Sequence, residues 1–258
     1  MNNKLTYKRP KITKIDFSHQ AIPREFDGFK ILHLSDLHNK EFGLDQSVLI
    51  EITLDLKPDV IAVTGDLVSD GKIDKTLKYL EQAVEIAPVF AVSGNHEHYH
   101  IKRYDYFKEQ LTNLGVNLLE NRAQEILKNN QALNIIGLND ISFFNSKKDY
   151  YKTIKFLTAQ VQGFKIMLAH APHVIGIYQN SGADLILSGH AHGGQIRLPI
   201  IGGLFAPGQG FFPRYTSGLY RLKNNVSLIV NRGLGDSVFP WRINNPPHVI
   251  LITLKSLA

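Results

Sequence analysis

Cysteine is absent from all 258 residues, which removes disulfides and thiolate metal ligands together. Any metal must then be held by oxygen and imidazole nitrogen. A cytosolic setting fits this absence, and a cell-surface one is not excluded by it. No apolar run approaches the length of a membrane span, and the opening MNNKLTYKRPKITKID has no apolar core of the signal-peptide kind. A cytoplasmic protein, at most peripheral at a membrane, is the expectation. Internal repeats, low-complexity tracts and Pro/Ser-rich linkers are also missing, so residues 1–258 read as a single domain. No stripe of basic residues interleaved with aromatics offers a nucleic-acid platform. Acidic residues do not occur before Asp16, whereas Lys4, Lys8, Arg9, Lys11 and Lys14 do. This basic segment, 1–16, has two readings: a solvated edge, or attraction to an anionic membrane at about 1 kcal/mol per basic residue.

What is present is ordinary in bulk, with 43% hydrophobic and 20% charged residues and a net charge of +6. Five short runs rich in Ile, Leu and Val read as buried strands: FKILHLSD (29–36), DVIAVTGD (59–66), APVFAVSG (87–94), FKIMLAH (164–170) and ADLILSGH (183–190). Helical spacing appears at 44–57, 72–86 and 103–115, the first two stopped by Pro58 and Pro88 and the third by Gly115. Strand and helix alternate through the first half, which argues for an α/β fold with parallel pairing. Hairpins in AQEILKNNQALNIIGL and SGLYRLKNNVSLIVNRG, with PHVILITLKS as a last strand, predict a second sheet packed on the first. The fold class expected is α/β, a two-sheet β-sandwich flanked by helices.

The five strands share a design at their carboxyl ends, where open α/β sheets bind ligands. The first is followed by Asp36 and His38, the second by Asp66, the third by Asn95 and His96, the fourth by His170, the fifth by His190 and His192. One such residue is usually a cap or a loop histidine; five strand ends in succession make a constellation. Mixed Asp, His and Asn donors suit Zn²⁺, Mn²⁺ or Fe²⁺ better than Mg²⁺ or Ca²⁺. The number of donors exceeds one site's need, and two cations about 3.5–4 Å apart sharing a carboxylate account for it. Asp66 is the natural bridge, being the only ligand-type side chain at its strand end.

The ordered blocks DLH, GDL, GNHE, H-x-P-H and GHAHGGQ resemble the calcineurin-like metallophosphoesterase superfamily, from about Phe29 to the C-terminus. Within it, EFDGFKILHLSDLHNKEFG, GHAHGGQIRLP with YTSGLY, and NRGLG with FPWRINNPPHV are similar to the bacterial YkuE/YaeI-like phosphodiesterase group. The resemblance implies a four-layer αββα fold and two divalent cations. One would be held by Asp36, His38, Asp66 and His192, the other by Asp66, Asn95, His170 and His190. It implies hydrolysis of a phosphate ester, a diester ahead of a monoester, by a metal-bridging hydroxide with His96 as general acid. Asp66 and Asn95 would share in catalysis through the metals. Alternatives are a phosphomonoesterase or nucleotidase, a protein phosphatase, or a non-catalytic scaffold of the same fold. Some relatives orient the catalytic histidine with an Asp three residues after the bridge; Ser69 stands there, so the partner of His96 stays unassigned.

Several residues remain. His98 and His100 are expected to face solvent at the start of the next helix, His98 being a weaker substrate-contact candidate. His33 is expected as a satisfied polar residue within a strand, and His173 as the start of a helix near the site. Asn39 either reaches a phosphate oxygen or serves a turn, and Arg232 and Arg242 either belong to the site or pair with carboxylates. The segment IIGGLFAPGQGFFPRY (200–215) places Leu204, Phe205, Phe211 and Phe212 among glycines just after His192. Core plugging by these side chains is the first expectation; an apolar lip suited to a lipid or envelope-related substrate is the second.

Overall fold

The computed structural model describes residues 9–236 and 241–257. Lys4 and Lys8 of the basic segment, and Phe239 and Pro240 of the C-terminal block, lie outside the described residues. In chain order the elements begin with β1 (Lys11–His19), β2 (Lys30–Leu34), α1 (Ser47–Leu56), β3 (Val60–Thr64) and α2 (Asp74–Ala83). β4 (Val89–Val92), α3 (Asn95–Tyr99), α4 (Tyr104–Asn113) and β5 (Asn117–Leu118) complete the first half. The second half holds β6 (Arg122–Lys128), β7 (Gln131–Gly137), α5 (Lys147–Ala159), β8 (Lys165–Leu168), α6 (Ile175–Tyr178) and β9 (Leu185–Ser188). Four two-residue strands follow, β10 (Arg197–Leu198), β11 (Gly202–Gly203), β12 (Phe205–Ala206) and β13 (Gly210–Phe211). The chain closes with β14 (Gly218–Arg221), β15 (Ser227–Val230) and β16 (His248–Ser256).

Two six-stranded mixed sheets carry the fold, in the orders β1-β16-β2-β3-β4-β5 and β14-β15-β9-β8-β7-β6. β2, β3, β4 and β5 run parallel, as do β7, β8, β9 and β15, and hairpins form both edges of the second sheet. The period-2 alternation of a strand explains why these runs are apolar throughout. On β3, Val60 and Ala62 face the second sheet beside Ile135 and Ile166, while Ile61 and Val63 join Leu49, Ile52 and Leu80 of α1 and α2. On β8, Ile166 and Leu168 take the inter-sheet side and Met167 packs with Tyr150, Ile154 and Tyr178 of α5 and α6. Helices therefore cover the outer face of each sheet, in the four layers expected. Both long hairpins turn on Asn-Asn pairs in left-handed backbone, Asn129–Asn130 (φ 49° and 63°) and Asn224–Asn225 (φ 58° and 59°), as two-residue turns between twisted strands require.

Three differences from the sequence reading have physical causes. The start of the chain is not merely a solvated basic edge: Lys11 and Lys14 lie on β1, an edge strand parallel to β16, with Phe17 buried. Lysine on an exposed edge discourages pairing with another chain. α5 is a helix that the sequence reading omitted, its Tyr150, Ile154 and Leu157 stripe being diluted by lysines and tyrosines. Segment 200–215 does not plug the core. Gly203, Ala206 and Pro213 are buried, whereas Phe211 is 71% exposed and Phe212 65%. Phe205 and Phe211, paired across the β12–β13 ladder, pack edge-on against each other at 5.4 Å.

Candidate metal centre

Three of the five strands feeding the site, β2, β3 and β9, end in an abrupt backbone reversal. Asp36, His38, Asp66, His190 and His192 all have positive φ, between 45° and 63°, a region costing a non-glycine residue about 1–2 kcal/mol. The reversal turns each side chain back across the sheet edge instead of outward along the strand. Such strain persists where the surroundings over-determine it, and here they do. A Cβ on Gly94 would collide with the Asp66 carboxylate, and one on Gly189 with Ser35 and Asp36, so the loops approach as closely as backbone permits.

All seven ligand candidates named from the sequence are brought together. Asp36, His38, Asp66 and His192 each offer an atom within 4.8 Å of the others, and Asp66, His170 and His190 form a second such group. Asp66 is common to both. Its Oδ2 lies 3.5 Å from His38 Nε2 and 3.2 Å from His170 Nε2. Asn95 joins the second group with its Oδ1 3.1 Å from His170 Nε2, and His190 Nδ1 is also 3.1 Å from that nitrogen. His192 Nε2 sits 3.4 Å from Asp36 Oδ1 and 3.3 Å from His38 Nε2. The first sheet supplies Asp36, His38, Asp66 and Asn95; the second supplies His170, His190 and His192.

The donor chemistry fits a cation. His170 Nδ1 donates to the Thr64 carbonyl at 2.7 Å, so its Nε2 turns a lone pair toward the Asp66 carboxylate and the Asn95 carbonyl oxygen. Electron pairs converging in a buried site require a positive charge between them. Burial opposes charge on both partners, yet Asp66 is held well below the ordinary carboxylate range by His170, and His170 well above the ordinary imidazole range by Asp66. A divalent cation would take the place of that proton. Burial also drives His38 down to about 4 and His190 to about 3, which keeps those imidazoles neutral as ligands must be.

His96 stands at the edge of the cluster. Its main-chain N–H donates to Asp66 Oδ1 at 2.9 Å, and its ring meets His38 edge-on at 4.5 Å and Tyr99 at 5.6 Å. Glu97 was missed from sequence. Its buried carboxylate accepts the backbone N–H groups of Gly94 (2.6 Å), Asp66 (3.0 Å), Leu67 (2.8 Å) and Val68 (3.0 Å), tying the loops after β3 and β4 together. Asn245 was missed too; its amide donates to the carbonyls of His192 (2.7 Å) and Gln195 (3.0 Å).

The remaining candidates fall into place, some against expectation. His98 does not face solvent: it lies within α3, its ring against Phe143 at 4.8 Å, and half-buried His100 caps that helix. His33 Nε2 pairs with Thr64 Oγ1 at 2.9 Å, away from the cluster. His173 precedes α6 by two positions, its ring 5.7 Å from His190. Asn39 is engaged by α2, accepting from Lys75 N (2.7 Å) and Thr76 N (3.2 Å) and donating to Asp74 (3.0 Å), so it serves the turn and not a phosphate. Arg242 reaches His192 Nδ1 at 3.2 Å while its other donors go to the carbonyls of Gly235 and Arg232, and it pairs with Asp236 at 3.6 Å. Arg232 is buried near His248, and its Nε has no hydrogen-bond partner among the described residues.

Comparison with known proteins gives concordant results. The profile of the calcineurin-like phosphoesterase family matches residues 29–194. An uncharacterized metallophosphoesterase of Bacillus subtilis (strain 168), YkuE, is 33% identical over 254 residues, spanning 95% of this chain and 85% of that protein. Phosphodiesterase YaeI of Escherichia coli (strain K12) is 30% identical over 236 residues, spanning 88% and 82%. Among solved structures, the NAD nucleotidase of Haemophilus influenzae superposes with a TM-score of 0.52 at 16% identity, over 80% of this chain and 45% of that one. That last likeness concerns the fold alone.

Proposed function

Since this chain belongs to the calcineurin-like phosphoesterase family, we propose that it is a metal-dependent phosphodiesterase with two divalent cations. The observation that carries this reading is the sharing of Asp66 between two buried donor groups, with His96 anchored beside it. Asp36, His38, Asp66 and His192 would hold one cation, and Asp66, Asn95, His170 and His190 the other. The mixed nitrogen and oxygen set favours Mn²⁺, Zn²⁺ or Fe²⁺. When bound, such a pair supplies Lewis acidity, which offsets charge on the phosphoryl oxygens and acidifies water.

The protein's own groups do the rest. The Thr64 carbonyl holds the His170 ring through Nδ1, and the Val68 carbonyl, 3.3 Å from His38 Nδ1, orients that ring, so both present Nε2 inward. His96, fixed through its amide on Asp66 and its ring on His38, would donate a ring proton to the leaving oxygen as the ester bond breaks. Arg242 is consumed by backbone carbonyls and His192, which leaves it poorly placed as a clamp on a dianionic terminal phosphate. That supports a diester over a monoester. The exposed apolar segment next to His192 supports an amphiphilic, lipid or envelope-related substrate.

The test is hydrolysis of bis-p-nitrophenyl phosphate with Mn²⁺, with and without chelator, beside p-nitrophenyl phosphate, nucleotides and phosphopeptides. Chelator-sensitive turnover of the diester is expected. Faster turnover of a monoester would replace the diester reading, and inactivity with every divalent metal would favour a scaffold.

A further inference from the structure

The loops beside the metal centre carry several exposed apolar side chains. Ile200, Ile201, Phe205, Phe211, Phe212 and Trp241 are all exposed, Ile200 completely. They come from two segments joined by main-chain bonds: Arg197 N–H to Ile243 C=O at 3.0 Å, Leu204 N–H to Ile196 C=O at 2.8 Å, and Phe212 N–H to Leu204 C=O at 2.8 Å. The join to the site is short. Leu204 N–H also donates to Gly194 C=O at 3.0 Å, within the single 3-10 turn that contains His192. Arg242, between exposed Trp241 and Ile243, contacts His192 itself.

Charge on this part of the chain is one-sided. From residue 185 to the C-terminus Asp236 is the single acidic side chain, and it is paired with Lys40 at 2.8 Å. Arg197 and Arg242 belong to these loops and Arg214 follows them, Arg232 is buried, and Arg221 and Lys223 lie at the opposite end of the second sheet. β1 begins at Lys11 opposite His248, and the positive charges of Arg232, Lys11 and Arg197 all bear on that histidine, so the basic start of β1 lies toward this same end of the sheets. Phe205 and Phe211 sit on the two-residue ladder β12–β13, Ile200 and Ile201 in the turn joining β10 to β11, and Phe212 just after β13. Protruding apolar tips in a basic, acid-poor field match the interfacial zone of an anionic bilayer better than a concave protein partner. No described helix is long and apolar enough to cross a membrane, so contact through these residues would be peripheral.

We propose that the loops of residues 196–212 and 241–243 form a docking surface for an anionic lipid bilayer and set the metal centre against the membrane. This deepens the amphiphilic-substrate reading, and docking itself does not depend on the chemistry at the metals.

The experiment is flotation of the full chain with vesicles of phosphatidylglycerol and phosphatidylcholine, against pure phosphatidylcholine, at low and high salt. The comparison variants are Phe211→Ser/Phe212→Ser and Ile200→Ser/Ile201→Ser. The parent should float with anionic vesicles, less so at high salt, and each variant should lose about tenfold or more in partitioning. Melting temperature and turnover of soluble bis-p-nitrophenyl phosphate should stay at parental levels in both variants. Failure of the parent to bind, or undiminished binding by both variants, overturns the proposal. So does sedimentation equilibrium showing that the same substitutions abolish a dimer of the parent formed without lipid. Loss of diester turnover in the parent itself would overturn the hydrolytic reading and leave the docking result standing.

Discussion

The Glu97 carboxylate accepts the main-chain N–H of Asp66 at 3.0 Å, so the residue shared by both donor groups is held from behind by a second buried acid. Four backbone donors from two loops end on that one side chain. Glu97→Gln replaces acceptor charge by an amide whose N–H₂ must face N–H groups. A stability loss of about 3 kcal/mol is expected, because buried donors left unpaired cost about 1–3 kcal/mol each and the loops relax only in part. Denaturant unfolding measures it, and metal content should fall as Asp66 loses its support. A variant as stable and as metal-rich as the parent would refute the clamp.

Asp66 and His96 should part company under mutation. Asp66→Ala is expected to lose bound metal and activity together, since the carboxylate serves both groups. His96→Ala should keep about two metals per chain while turnover falls by about 10²–10⁴-fold, the usual contribution of a general acid. Metal analysis of both proteins decides; equal metal loss would mean that His96 has been given the wrong role.

Acid should destabilise the fold through histidines outside the centre. Burial lowers His33 from its ordinary 6.5 to about 3, and burial followed by the charge of Arg232 lowers His248 as well. Below pH 6.5 the unfolded chain takes protons on these rings that the folded chain refuses, so stability falls as pH drops toward 3. The slope is at most about 1.4 kcal/mol per pH unit for each ring. Urea unfolding between pH 7 and 5 should show it, with a shallower slope in His33→Gln. Parallel slopes in parent and variant would remove His33 from the account.

Asn39 is predicted to matter for stability and not for turnover. Asn39→Ala removes the acceptor for Lys75 and Thr76 N–H at the start of α2. The expected cost is about 1 kcal/mol, typical of a lost cap. kcat and KM for a soluble diester should be unchanged; a selective rise in KM would return Asn39 to the substrate.

Strand ends were readable from sequence because a buried strand is a short Ile/Val/Leu run and the residues after it are polar for a reason. That placed Asp36, His38, Asp66, Asn95, His170, His190 and His192 near one another before any geometry was known. Glu97 was not readable, since its partners are backbone amides of residues 66–68 and any sequence supplies amides. Asn39 and His98 were ambiguous because the same side chain can cap a helix, pack on a ring or meet a substrate, and only its neighbours decide. The phenylalanines of segment 200–215 were open in the same way. Aromatics among glycines have one pattern whether they turn inward or out, and the fold leaves Phe211 and Phe212 outward.

The distribution of donors between the two sheets has a thermodynamic consequence. At their ligand-bearing edge the chain crosses between the layers after β5 and after β15, and elsewhere the inter-sheet side chains attract without direction. A cation held by Asp66 from one layer and His170 from the other would act there as a rivet. It binds only when the layers are in register, so each increment of affinity is also an increment of cohesion, about 2.7 kcal/mol at a free concentration one hundred times Kd. Metal supply and melting temperature should rise together, and amide hydrogen exchange along β3 and β8 should slow as the rivet is set.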